Sequence, residues 1–299
     1  MKQKRQQSLT ISSKKLSAYH KEYVQQLQLS TPETRGTYER SLREFFRWYP
    51  HDGKFRFRTD DVERYKKFLF SKRKLSPASV TTYITSLRRF CKFLVAKNVL
   101  KENPAKGVRW IPRSSQHTRE ILTQEEVKQV LLSVERADER GYRDYAVIKI
   151  MLVCGLSEIE LVRANIEDVK ISGNKVSFCF QSKGKKTKDT EIVLPYEVRE
   201  AFLGYLSFRK DADGEEPLFM SAGNRTRGER MTTRGIRDRI NMYLENSGVK
   251  QGRARRLTAF SLRHTAIAMM AESGASIEEI QSKFRIKKTE TVMLYLKNK

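Results

Sequence analysis

The chain has 299 residues, of which 38% are hydrophobic, and its formal net charge is +25 at pH 7. This length allows two domains with separate cores, and the hydrophobic content excludes wholesale disorder. Such an excess of positive charge causes self-repulsion unless a polyanion relieves it, and nucleic acid is the first candidate. An anionic membrane surface is the second candidate, but no run of about 18 apolar residues predicts a transmembrane helix, and the N-terminus lacks the apolar stretch of a signal peptide.

The N-terminal part of the chain carries most of this charge. Residues 1–120 contain 28 Lys and Arg against 10 Asp and Glu. Apolar spacing and start signals predict four helices: residues 16–29, a helix that follows the start signal at 30–33, residues 59–70, and a helix that opens at Ser76 and Pro77. The fourth helix has the clearest i, i+3/i+4, i+7 spacing, and its opposite face presents Arg88, Arg89 and Lys92.

The C-terminal part begins after a segment that contains proline, glycine and paired serines and breaks the periodicity. Thr123 and Glu126 form a capping-box signal for a helix, and a second helix around residues 145–154 is apolar nearly all round, which predicts burial. Residues 168–171, 175–180 and 190–194 predict three strands, and the segment after them is predicted to be helical with a polar loop near 211–230. We therefore expect a basic arm (1–15), a helical domain (16–103), a linker (104–118) and an α+β domain (119–299).

Several motifs resemble those of the tyrosine recombinase, or phage integrase, family, and they occur along the chain in the family's order. The string from Ser261 to Thr265, with the apolar helix and Gly274 after it, is similar to the second conserved box, and Ile280, Gln281 and Tyr295 have the spacing of the third box and the nucleophile. Two further segments match: Gly155-Leu156 with Glu160-Leu161 resembles the first box, and Lys183-Gly184-Lys185 resembles the catalytic-lysine hairpin. The resemblance implies a mainly α fold, with a four-helix core-binding (SAM-like) domain and a catalytic-like domain that contains a small three-stranded antiparallel sheet.

The resemblance also implies a chemistry and a set of site residues. In this family a tyrosine hydroxyl attacks a DNA phosphodiester, two arginines bind the nonbridging oxygens, and a lysine or histidine protonates the departing oxygen. Tyr295 matches the nucleophile, Arg263 the second arginine and Lys183 the hairpin lysine. The alternative interpretations are a core aromatic for Tyr295 and a solvated loop charge for Lys183. We expect DNA contacts from the following basic residues: Arg88, Arg89, Lys92, Lys185 and Lys186.

Three positions depart from the family pattern. Ser157 stands where the first arginine is expected, and Phe260 and Ile286 stand where the two histidines are expected. None of these side chains can bind a phosphate as arginine does or transfer its proton at neutral pH. Five nearby arginines are candidate substitutes, although their spacing does not support the role: Arg163, Arg253, Arg255, Arg256 and Arg285. His264 follows the second arginine, a position with a mainly structural role in the family.

These observations leave three hypotheses for the function. The first is a DNA-binding member of the family with impaired catalysis that acts in or beside recombination and integration, alone, with copies of itself or with an active recombinase. The second is an active recombinase that cuts and rejoins DNA through Tyr295 with a non-standard set of residues. The third is a basic protein of membrane surfaces, but the sequence shows no basic surface helix with a strongly apolar face to support it.

The remaining expectations concern cofactors, thiols, location and assembly. No metal is implied, because the acidic residues show no clustered ligand spacing, and no nucleotide-binding glycine loop suggests a cofactor. Cys91, Cys154 and Cys179 lie in apolar runs and are predicted to be core thiols of a cytoplasmic, nucleoid-associated protein. The chain ends at Lys299, so we do not expect the additional C-terminal helix with which many relatives dock onto the next protomer.

Overall fold

The computed structural model describes residues 11–27, 32–49, 54–55, 57–108, 120–182, 185, 187–223, 226–253 and 256–296. The chain divides into two compact units, Met1–Ser115 and Gln116–Lys299. The described part of the first unit is a set of helices with one short strand pair, and that of the second combines helices with a three-stranded antiparallel sheet. The predicted fold class, mainly α with an α+β C-terminal part, is confirmed.

The first unit packs its helices around an aromatic core. Phe45, Tyr65 and Phe90 are almost fully buried, and the rings of Phe45 and Tyr65 meet edge to face with centroids 4.9 Å apart. Its described helices are α1 (Ser13–Gln26), α2 (Pro32–Trp48), α3 (Thr59–Ser71) and α4 (Pro77–Ala96). All four predicted helices are therefore present, and Ser76 caps α4 by accepting a hydrogen bond from the backbone N–H of Ser79 at 3.3 Å.

Two details of the first unit differ from the sequence prediction. Helix α1 begins at Ser13, three residues before the predicted start, because the apolar stripe marks only the buried face of a helix and not its polar first turn. The strands β1 (Ile11–Ser12) and β2 (Lys54–Phe55) pair in antiparallel fashion and were not predicted. Strands of two residues are too short to show an alternating pattern.

The second unit is built from eight described helices and one sheet. The helices are α5 (Gln124–Leu132), α6 (Glu139–Lys149), α7 (Glu158–Val162), α8 (Tyr196–Leu206), α9 (Thr233–Asn246), α10 (Ala259–Glu272), α11 (Ile277–Phe284) and α12 (Thr289–Leu296). Short 3₁₀ turns cover Ile166–Asp168 and Ser207–Arg209. The predicted capping box is present, since Thr123 accepts from the N–H of Glu126 while the Glu126 carboxylate accepts from the N–H of Thr123.

The helix predicted around residues 145–154 begins earlier than expected, and its last part is a π-helix. It begins at Glu139 because the Asp138 carboxylate caps it, accepting from the N–H of Gly141 at 2.8 Å, and this cap lies well before the apolar run begins. Its last turn, Ile150–Cys154, widens into a π-helix, which ends at Gly155 in a left-handed conformation. Turns of this kind occur frequently next to functional sites.

The sheet has the order β3–β4–β5, with the strands β3 (Val169–Ser172), β4 (Lys175–Phe180) and β5 (Thr190–Val193). Each strand lies within one residue of its predicted bounds. Phe178 of the central strand faces Val169 on one side and Ile192 on the other. The ring of Phe180 is fully buried at the end of β4, where the chain enters the β4–β5 hairpin.

The prediction that all three cysteines are core thiols holds for two of them. Cys91 and Cys154 are buried, and Cys179 is half-buried. Burial raises the pKa of the Cys154 thiol to about 11, against the opposing effect of the nearby charges of Lys283 and Arg285, and burial also raises the pKa of Cys91. Both buried thiols are therefore neutral at physiological pH.

Candidate active site

The candidate site lies in the second unit, where the turn after the π-helix meets the last three helices. Gly155 adopts a φ of 61°, and a Cβ there would lie 2.4 Å from two ring carbons of Phe284. The absence of a side chain therefore lets the fully buried Phe284 ring pack directly on the backbone. This contact brings the end of α11 against the start of α7.

Ser157 lies at the end of this turn, directly before α7, and caps that helix. Its N–H and its hydroxyl donate to the same carboxylate oxygen of Glu160, at 2.7 Å and 2.8 Å. Both residues are buried, with Ser157 7% and Glu160 2% exposed. The residue at the predicted first-arginine position therefore acts as a helix cap whose polar atoms face a buried carboxylate.

Arg263, on α10, reaches from the helix to the same turn. It donates one hydrogen bond to the carbonyl oxygen of Gly155 and one to that of Phe284, and its Nη1 lies 3.9 Å from Glu160 Oε2. Burial lowers the pKa of the guanidinium, and the positive charge of Arg285 lowers this pKa further, while Glu160 and Tyr295 raise it. Arg263 is thus a largely buried cation close to a second cation and to the predicted nucleophile.

Arg285, the residue after Phe284, completes this group. Its Nε lies 3.5 Å from Glu160 Oε1, and its Nη2 donates to the Gly155 carbonyl oxygen at 3.4 Å. Its guanidinium also lies over the Phe180 ring, 4.9 Å from the centroid, at the end of β4. Of the five candidate substitutes for the missing arginine, Arg285 is therefore one that the fold brings next to the Ser157 turn.

The other candidate substitutes within the described part of the chain are Arg163, Arg253 and Arg256. Arg253 pairs with Glu120 at 2.6 Å and with Glu126, which holds it at the start of α5. Arg163 is the C-terminal cap of α7, and Arg256 is exposed just before α10. Arg255 lies outside the described residues.

Tyr295, on α12, is bound to a histidine in this structure. Its hydroxyl forms a hydrogen bond with Nδ1 of His264, and the two rings stack with centroids 5.8 Å apart and an interplanar angle of 25°. Tyr295 is only 9% exposed. The sequence predicts a structural role for His264, and the hydrogen bond instead gives it a direct contact with the reactive atom of the predicted nucleophile.

The two predicted histidine positions hold apolar side chains with packing contacts. The Phe260 ring meets the His264 ring edge-on, with centroids 5.0 Å apart. Ile286 is partly buried against a small cluster formed by α10, α11 and α12 that includes Ile280, Val292 and Tyr295. These side chains support the site without contributing a proton donor to it.

The β4–β5 hairpin carries the predicted lysines. Lys183 and Lys186, predicted as a catalytic and a DNA-contacting residue, lie outside the described residues. Lys185 is exposed and pairs with Asp189 at 2.9 Å, and the hydrogen bond from Lys185 lowers the pKa of the Asp189 carboxyl group. Its predicted contact with DNA stays a prediction.

The predicted DNA-contacting residues of α4 divide into two kinds. Arg88 donates to the backbone carbonyls of Ala105 and Val108 at 2.9 Å and 3.1 Å, so its guanidinium fastens the segment after α4 to the helix. Arg89 and Lys92 are exposed, and the Arg89 guanidinium lies over the Tyr38 ring at 5.3 Å. The exposed positions of Arg89 and Lys92 therefore suit a phosphate contact better than the position of Arg88 does.

Chemically, the site joins two guanidinium groups, one carboxylate and one phenol. Paired guanidinium donors match the oxygens of a phosphate, and a nearby phenol is a potential nucleophile. Within the described residues, no group of three or more His, Cys, Asp or Glu side chains is arranged to hold a metal ion. The helices in this described part of the chain also include none long and apolar enough to cross a membrane.

The sequence pattern did not predict the contacts of Arg285 with the Ser157 turn and of His264 with Tyr295. The spacing of the family's motif assigns no role to Arg285. Its contact with the Ser157 turn joins residues about 130 positions apart, which local spacing does not show. The signal that was available for His264 is its spacing to Phe260 and Arg263 on one helix, but its partner lies on a different helix.

Comparison with known proteins agrees with this architecture. The sequence model of the phage integrase family matches residues 120–299, and that of the N-terminal SAM-like domain of phage integrases matches residues 62–124. The tyrosine recombinase XerC of Serratia marcescens is 29% identical over 253 residues, 84% of this chain and 79% of that protein. The XerC of Proteus mirabilis is 28% identical over 69% of this chain, and the aligned region spans 64% of that relative, slightly less than two thirds of its length.

Solved structures with the same fold include two integrases in complex with DNA. A lambda integrase dimer bound to a COC′ core site has a TM-score of 0.70 and 16% identity, covering 96% of this chain and 77% of that one. The Tn1549 transposon integrase in complex with a circular intermediate DNA has a TM-score of 0.70 and 17% identity, covering 93% of each chain. With the family model matching more than half of its length, the chain belongs to the phage integrase family of tyrosine recombinases.

Proposed function

We propose that this protein binds double-stranded DNA and acts in or beside site-specific DNA recombination, with an impaired capacity to cleave the strand. Its family supports this role, and so does a net charge of +25. The exposed side chains of Arg89 and Lys92 are suited to contacts with DNA phosphates. Two kinds of partner fit this role: copies of itself on DNA or an active recombinase. The protein would act on the nucleoid in the cytoplasm.

One observation carries the proposed impairment. Ser157 stands at the first-arginine position and directs both of its polar atoms to Glu160, so it offers no donor to a phosphate. Removal of one transition-state donor of this kind slows a reaction on the order of 10²–10³-fold. Phe260 and Ile286 add the loss of both histidines, which leaves Tyr295, Arg263 and Lys183 as the retained family positions.

A second candidate is an active recombinase with a non-standard site. The position of the Arg285 guanidinium beside the Ser157 turn favours it, since a cation is present near the place of the missing arginine. The hydrogen bond between His264 and the Tyr295 hydroxyl favours it as well, because a histidine can accept the proton of an attacking phenol.

DNA binding is tested first, with the full chain and duplexes of about 40 base pairs. We expect affinity that falls steeply with salt, and a smaller slope of log affinity against log salt in the Arg89→Gln and Lys92→Gln variants, by about one contact each. Binding to anionic vesicles without salt-dependent DNA affinity would instead support the membrane-surface hypothesis and refute the proposal.

Cleavage is tested on a DNA site that the protein itself selects from a random-sequence duplex pool. The selected site is prepared with nicks that trap a covalent intermediate, and protein–DNA adducts are detected on denaturing gels. The proposal expects no adduct, or a trace that requires long incubation. A rapidly formed adduct that disappears in Tyr295→Phe would establish the active recombinase instead.

A further inference from the structure

The two guanidinium groups of Arg263 and Arg285 converge on one atom. Arg263 Nη1 and Arg285 Nη2 both donate to the carbonyl oxygen of Gly155, and the only carboxylate paired with them in the described part of the chain is that of Glu160. Two like charges in a partly buried place repel each other, and one carboxylate neutralises only one of them. The site therefore retains a net positive charge that an anion would balance.

The two side chains also have donors to spare. Each guanidinium carries five N–H groups. The hydrogen bonds to described residues use two on Arg263, to Gly155 and Phe284, and two on Arg285, to Gly155 and Lys283. The Nε atom of Arg285 is buried and forms no hydrogen bond with a described residue, although it lies 3.5 Å from Glu160 Oε1. The remaining donors suit a ligand with several acceptor oxygens.

The backbone at Arg285 is an independent observation. Arg285 has a φ of 56° and a ψ of 42°, at the C-terminal cap of α11, with the N–H of Ile286 bonded to the carbonyl of Gln281 at 3.0 Å. This closing geometry favours glycine, because a Cβ is strained in the left-handed region. The chain places an arginine here against that backbone preference, and residues in such conformations cluster at functional sites.

We propose that Arg285 and Arg263 together form a binding site for one phosphodiester of DNA, beside the turn at which Ser157 stands in place of the first arginine. This inference rests on the proposed function, because it names the residues that contact DNA in the catalytic-like domain. A single phosphodiester carries one negative charge, which matches the positive charge left over beside Glu160. The site holds the phosphate near Tyr295, which lies close enough to Arg263 to raise the pKa of its guanidinium.

The test measures the coupling between one phosphate and one side chain. In the selected DNA site, each phosphate is replaced in turn by a neutral methylphosphonate, and the affinity of the full chain is measured for each duplex. We expect at least one position at which neutralisation weakens binding of the unchanged protein on the order of tenfold, the size expected of a charge-assisted hydrogen bond. In Arg285→Gly the same neutralisation should have little further effect.

The variants are chosen so that loss of folding cannot imitate the result. Arg285→Gly removes the guanidinium and suits the left-handed backbone, so circular dichroism and thermal unfolding should show an intact fold. Lys287→Gln removes the same charge from an exposed position two residues away and should keep the full methylphosphonate effect. Arg285→Lys keeps the charge without the planar pair of donors and should keep only part of the effect.

The outcomes separate the two proposals. If the pattern of sensitive phosphates is the same in Arg285→Gly and in the unchanged protein, Arg285 does not contact a phosphate and the inference is wrong, while the DNA-binding function stands. If no duplex shows salt-dependent affinity at all, the proposed function itself fails. Loss of the effect in both Arg285→Gly and Lys287→Gln would assign it to general charge and would also overturn the inference.

Discussion

The contact between Gly155 and Phe284 connects the stability of the second unit to the geometry of the site, and Gly155→Ala perturbs it directly. The new Cβ would lie 2.4 Å from two carbons of the fully buried Phe284 ring, and the backbone would have to keep a φ of 61°. The left-handed conformation costs an L-residue about 1–2 kcal/mol. Overpacking a filled core costs about 1–3 kcal/mol more. We therefore expect a loss of about 2–5 kcal/mol in the free energy of unfolding.

A second glycine separates the two contributions. Gly173, in the β3–β4 turn, has a φ of 55°, and a Cβ added there would meet nothing within 4 Å, so Gly173→Ala carries the conformational cost alone. Urea unfolding followed by circular dichroism gives both free energies, and their difference measures the clash with Phe284. In the double variant Gly155→Ala/Phe284→Leu the smaller side chain should recover part of the loss, which appears as a favourable coupling energy.

Equal losses in Gly155→Ala and Gly173→Ala would contradict this reasoning, because they would mean that the Phe284 ring does not rest on Gly155. The site provides a second readout. The carbonyl of Phe284 accepts a hydrogen bond from Arg263, and Arg285 is the next residue, so displacement of the ring should also weaken the methylphosphonate effect.

Three further predictions follow from individual contacts. Ser157→Ala removes the cap of α7 and leaves an oxygen of buried Glu160 with one donor fewer; we expect a loss of about 1 kcal/mol by thermal unfolding, which Ser157→Thr should largely avoid. Arg88→Ala should destabilise the first unit by about 1–3 kcal/mol, because two backbone carbonyls lose a charged donor. Arg89→Ala should leave the free energy of unfolding unchanged and reduce the salt dependence of DNA binding. A loss of stability in Arg89→Ala and a loss of salt dependence in Arg88→Ala would exchange their roles. Burial raises the pKa of Tyr23 to about 12, above its value near 10 in an unfolded chain. The contribution of the buried phenol to stability is therefore complete below about pH 10 and is lost as the pH rises towards about 12. Tyr23→Phe should make the alkaline decline of the melting temperature shallower, and an unchanged slope would refute the assignment.

The residues at the three departing positions are integrated into the packing around them. Ser157 caps a helix through a buried carboxylate, Phe260 packs against His264, and Ile286 joins the cluster that surrounds Tyr295. Restoring the family residue at one position would therefore disturb a contact that the chain now uses. The three side chains provide neither a guanidinium nor an imidazole, which is why we expect the site to bind a phosphate more readily than it cleaves a strand.

The sequence by itself determined the fold class, the family and, within a few residues, the four helices of the first unit and the three strands of the C-terminal sheet. These features rest on local patterns, such as the apolar spacing of α4, the capping box at Thr123 and the alternation of β4, which adjacent residues specify. It also identified Tyr295 and Arg263 as candidates, because the residues around each form a recognisable string.

Only the tertiary structure decided what surrounds these candidates. The approach of Arg285 to the Ser157 turn depends on a glycine that admits the Phe284 ring and on a left-handed cap that directs the chain back across the site. The bond between His264 and Tyr295 joins two helices, and that between Arg88 and the Val108 carbonyl joins a helix to the segment after it. Contacts of this kind arise from the packing of distant segments, which no periodicity in a single sequence records.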